Sequence, residues 1–129
     1  MMLDKYIGIP FVEQKTSFDG TDCYGLVRLF YSNELRMFPK DPMIEANKSS
    51  KVFAQFMLEI SKNWEKIDEP EEYCVVAMAH DVNHPKIIQH FGLYIGNGKM
   101  IHTLDKLGSH IVELDKYKYY IKGYYKFKI

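Results

Sequence analysis

Residues 90–103 read HFGLYIGNGKMIHT. Two apolar, strand-forming runs flank Gly96-Asn97-Gly98, the signature of an antiparallel hairpin. Side chains alternate between the faces of a strand, so the loop length decides which residues share a face. A two-residue loop of Asn97 and Gly98 would send His90 and His102 to opposite faces. A three-residue loop from Gly96 to Gly98 pairs Ile95 with Lys99. Gly92 then stands opposite His102, and the two histidines become diagonal neighbours on one face. Gly98 suits the left-handed bulge position of such a loop. The histidine face carries His90, Gly92, Tyr94, Met100 and His102. The other carries Phe91, Leu93, Ile95 and Ile101 and is more uniformly apolar. Gly92 leaves room between the histidines for a substrate or for a helix to approach.

On either side of this hairpin, HIVEL (110–114) and IKGYYKFK (121–128) read as further strands, and YCVVAMA (73–79) as a buried one. These predict an antiparallel meander of about five strands. Upstream the period changes. In FDGTDCYGLVRLFY (18–31), Cys23, Leu26, Val27 and Phe30 fall on one helical stripe, predicting a helix from about Cys23 to Asn33. Thr21 or Asp22 can cap it. Gly25 is a poor helix former, and its place one turn in points to close approach of another backbone. After the prolines of LRMFPKDPM (35–43), a second helix is predicted over Ser49–Lys66, with Phe53, Phe56, Ile60 and Trp64 inward. DEPEE (68–72) ends it. YIGIPFVEQKTSFDGT (6–21) reads as an extended arm and loop. The fold class is therefore α+β, with two helices packed on one face of an antiparallel sheet.

The chain has 129 residues, 47% hydrophobic and 15% aromatic, which suits a single domain over 1–129 with one core. Lys+Arg and Asp+Glu are both 17, so no charge excess points to nucleic acid or an anionic membrane. No run approaches the roughly 20 apolar residues of a spanning helix, and MMLDKYIGIP has no signal-peptide pattern. No membrane anchor is expected.

Cys23 and Cys74 are the two cysteines. A bridge between them is one reading, though each has a simpler explanation. Cys74 lies in an apolar strand and reads as buried and inert. Taken alone, Cys23 reads first as a small buried residue. Its place at a helix start opens a second reading, because the unpaired N–H groups there favour a thiolate and can hold an oxyanion. Two histidines sharing a face strengthen that reading, since a nucleophilic cysteine needs a base and an oriented imidazole. In HDVNHP (80–85), His80, Asp81 and His84 suggest metal, but the turn residues and the lack of a thiolate pair argue for a loop, so no metal or cofactor is expected. YKYYIKGYYKF (117–127) alternates like a half-buried edge strand rather than a base-stacking surface. His110 reads as surface.

DCYGLVRLFY followed by HFGLYIGNGKMIHT resembles the NlpC-type cell-wall cysteine peptidases, which have a papain-like α+β fold. Cys23, His90 and His102 match the family's nucleophile, base and orienting residue in order. YIGIPF, VRLFY and IKGYYKF are similar to the short peptidase-type proteins of tailed-phage tail tips. The resemblance implies hydrolysis of an amide in a peptidoglycan stem peptide, other tail-tip proteins as partners and a place in the virion. It also implies that the Cys23 N–H belongs to the oxyanion hole. Three departures stand out: FVEQKTSFDG lacks the family's glycine pair, Phe11 replaces a tyrosine, and Tyr24 replaces a small residue beside the nucleophile. Phe11 and the missing glycine pair support an alternative, a structural or assembly protein of a tail tip with the same fold and little or no turnover.

Overall fold

The computed structural model describes residues 3–40, 62–79, 81, 83, 85–86 and 88–128. The predicted second helix lies mostly outside these residues, as do His80 and His84 of the metal reading. Its predicted end is corrected: Trp64–Ile67 is strand β3, not helix. Trp64 is buried there against Tyr31 and Phe127 (ring centroids 5.8 and 5.0 Å), which an extended strand permits.

A short ribbon, β1 (Thr16–Ser17) and β2 (Gly20–Thr21), leads into helix α1 (Cys23–Phe30). The helix is three residues shorter than expected. It widens into a π-helical turn over Tyr31–Leu35 and stops at Arg36, which is left-handed at φ 55°. The other strands are β4 (Val75–Met78), β5 (His90–Gly96), β6 (Lys99–Leu104), β7 (Gly108–Glu113) and β8 (Ile121–Phe127). With β3 they form one antiparallel sheet in the order β3-β8-β4-β5-β6-β7. The predicted meander is thus interrupted. β8 is not an edge strand but lies between β3 and β4, so its alternating tyrosines are read from both sides.

Period two divides the sheet's side chains cleanly. Val75, Ala77, Phe91, Leu93, Ile101 and Tyr125 form one core with α1. Val76, Met78 and Met100 form a smaller core on the other face, with Tyr94, Val112, Tyr117 and Tyr124 around it. The helix is buried almost all round because β1 and β2 cover its second side. Only Arg28 among its residues is half-exposed, and it reaches the Pro39 carbonyl and Thr16 Oγ1 at 2.8 and 3.0 Å.

Candidate active site

Asp22, not Thr21, caps α1. Its Oδ1 accepts from the Gly25 N–H at 2.7 Å, and its Oδ2 accepts from the Gln14 N–H at 2.9 Å. One carboxylate therefore fixes both the helix start and the loop before it. Gly25 is required by that loop. A Cβ there would stand 2.4 Å from the Lys15 carbonyl oxygen and 2.5 Å from Thr21 Oγ1.

Cys23 follows the cap and is 4% exposed. Burial pushes its thiol up to about 12, and the neighbouring Asp22 carboxylate adds to the rise. Backbone N–H groups of Phe91, Tyr24 and Cys23 itself pull the other way, each donating toward the sulfur. The first of these matters for placement. Phe91 follows His90, so the sulfur is held where β5 begins. The Tyr24 ring packs on Phe91 with centroids 5.1 Å apart, closing this corner. Tyr24, the departure beside the nucleophile, thus belongs to the core.

The hairpin brings the histidines together by a different loop from the one predicted. Asn97 and Gly98 make a two-residue turn, both at positive φ (54° and 73°), as a type I′ turn requires. The face-changing effect of that turn is undone by a bulge, because the register slips from Tyr94↔Met100 to Gly96↔Lys99. Ile95 is the extra residue, and Gly96 takes φ 92° beside it. The parity needed for a histidine pair is restored. His90 Nε2 and His102 Nδ1 lie 2.8 Å apart, and both rings are buried.

This pair stands on the face opposite α1, with Met78 and Met100. Gly92 does not hold open a substrate space: a Cβ there would meet Met100 Sδ at 2.8 Å. The thiol's contact with the Phe91 N–H brings it to the end of the sheet where His90 is the first residue of β5. With Nε2 committed to His102, Nδ1 is the His90 nitrogen suited to serve the thiol. Cys74 is buried before β4, and both cysteines are free thiols rather than a bridge.

Sequence reasoning missed one neighbour. His110 is only half-exposed and pairs directly with His102 across β6 and β7, with rings 4.7 Å apart. The signal was legible. Asp105-Lys106-Leu107 is a three-residue loop, and the parity rule applied to it puts His110 on the His102 face.

The family model of the NlpC/P60 family matches residues 8–128. The chain belongs to the NlpC/P60 family, whose members are cysteine peptidases and peptidoglycan hydrolases. Among solved structures, the NlpC/P60 domain of the peptidoglycan hydrolase SagA is 15% identical, with a TM-score of 0.64, covering 95% of this chain and 91% of that one. An NlpC/P60 protein of Bacillus cereus is 22% identical at TM-score 0.70, and NlpC2 of Trichomonas vaginalis 20% identical at 0.69. Each covers 96% of this chain, but the chain spans only 37% and 45% of their lengths. These likenesses show the papain-like NlpC/P60 fold. No protein of curated function matches the chain. No helix among the described residues is long and apolar enough to cross a membrane.

Proposed function

We propose that this NlpC/P60 chain is a peptidoglycan endopeptidase that cuts stem peptides with Cys23, His90 and His102. The observation that carries the reading is the 2.8 Å His90 Nε2–His102 Nδ1 contact beside a cysteine at a capped helix start. The resting thiol is neutral, because burial holds its pKa near 12. Attack therefore needs His90 Nδ1 to take the thiol proton as sulfur bonds to the amide carbonyl carbon. His102 Nδ1 accepts from His90 Nε2–H, which orients the ring and stabilises the imidazolium. The N–H groups around the sulfur then receive the oxyanion. Collapse passes the proton to the leaving amine, and water releases the acyl group from Cys23.

Resemblance to tail-tip peptidases supports a phage tail component as the setting, with other tail-tip proteins as partners and the host wall as target. A structural role in the same assembly is favoured by one specific observation, the 4% exposure of Cys23 together with its raised pKa. Purified protein and Cys23→Ala incubated with defined muropeptides, read by mass spectrometry, test the enzyme. Cleavage that needs Cys23 is expected, and its products identify the bond. Intact muropeptides across several stem chemistries, from protein that melts cooperatively, would move the reading to assembly. Full infectivity of particles carrying Cys23→Ala would do the same.

A further inference from the structure

Three imidazoles stand in a row across β5, β6 and β7. The His102 ring lies 5.1 Å from His90, 4.7 Å from His110 and 5.0 Å from Tyr117, edge-on to each. An orienting imidazole works only while its own ring is held. His102 is fully buried, and these rings pack against it.

His110 is itself fixed. Its Nδ1 lies 2.9 Å from the Gly108 carbonyl oxygen. A carbonyl can only accept, so Nδ1 carries a proton and the ring is tied to the β7 backbone. Gly108 is pinned in turn, at φ +72° with room for no Cβ, which would stand 2.7 Å from the Ile9 carbonyl oxygen. Ser109 N–H donates to that same oxygen at 2.9 Å, and Ser109 Oγ accepts from the Ile9 N–H at 2.8 Å. The N-terminal arm thus fixes the start of β7, and β7 fixes His110.

We propose that His110 is a positioning residue of the Cys23–His90–His102 set, holding the His102 ring from β7. The inference rests on the hydrolase reading of that set. His110 stands directly opposite His102 in the β6–β7 ladder, so its ring meets the His102 ring on the face that carries His90.

The test is alkylation of Cys23 by iodoacetamide in the full chain from pH 4.5 to 10, mapped to the Cys23 peptide by mass spectrometry. It needs no wall substrate. Wild type is compared with His90→Ala, His110→Phe and His110→Asn; Phe keeps a ring for His102, and Asn keeps a donor for Gly108 without a ring. Wild type should show an acid limb in the imidazole range that His90→Ala abolishes. His110→Asn should lower the plateau by about 3- to 10-fold, as His102 loses a ring contact, while His110→Phe, which keeps a ring there, should stay near wild type. A purely structural role would lower the melting temperature of the variants and leave the plateau in place. A plateau unchanged in His110→Asn, while His90→Ala abolishes the limb, overturns this inference alone. A wild type with no imidazole limb overturns the hydrolase reading along with it.

Discussion

Asp22 imposes two opposed demands on one turn. It secures the helix start by accepting from Gly25 and Gln14, and its charge raises the thiol it precedes. Asp22→Asn keeps an acceptor for Gly25 but turns a donor toward the Gln14 N–H. The expected result is a loss of about 1 kcal/mol in chemical denaturation. The Cys23 alkylation limb should shift to lower pH in the same variant, since the nearby charge is gone. His90→Ala works in the opposite sense. It removes the proton acceptor, so Cys23 should react only on an alkaline limb rising toward 12.

The buried thiols also make stability depend on pH. Burial moves the Cys74 pKa from an ordinary 9.0 to about 11. Between these values the unfolded chain has lost a proton that the native chain keeps, so stability falls as pH rises through that window. Below pH 9 the contribution is complete. Melting temperatures from pH 7 to 11 in reducing buffer should decline, and Cys74→Ala should decline less steeply.

Among the elements, α1 and the β5–β6 hairpin were legible because each declares itself locally. The cap, the stripe through Cys23 and Leu26, and the GNG turn all speak through neighbours in sequence. The histidine parity came out right by the wrong loop. A bulge at Ile95 adds the same single residue as a longer turn would, and composition does not separate the two. Trp64 was misplaced for a related reason. An aromatic three or four residues after Ile60 fits a helical stripe, while its partners Tyr31 and Phe127 are remote in sequence. Gly25 shows where propensity misleads. Alanine is the better helix former, yet Gly25→Ala forces a methyl onto the Lys15 carbonyl. The variant should lose about 1–3 kcal/mol of stability rather than gain. Ser109→Ala tests the arm's hold on β7. The hydroxyl accepts from Ile9 and donates to the Tyr6 carbonyl at 2.6 Å, and both groups are buried. Its removal should cost about 2–4 kcal/mol by thermal or chemical melting.

Across the whole molecule, the order of strands was the least legible feature. Pairing of β5, β6 and β7 follows chain order and can be read from turns. The insertion of β8 between β3 and β4 is set by long-range packing, and no local signal announces it. This order has a consequence for how the protein is made. On the ribosome, β4 through β7 can join as they emerge, so the histidine row is built early. β4 is buried on both faces in the finished sheet, and its second edge is closed only by Tyr124 and its neighbours on β8. Until those residues leave the exit tunnel, the nascent chain displays an open, apolar strand edge with no rightful partner yet synthesised. That interval, rather than the native state, is when this chain is most exposed to aggregation and most in need of a chaperone.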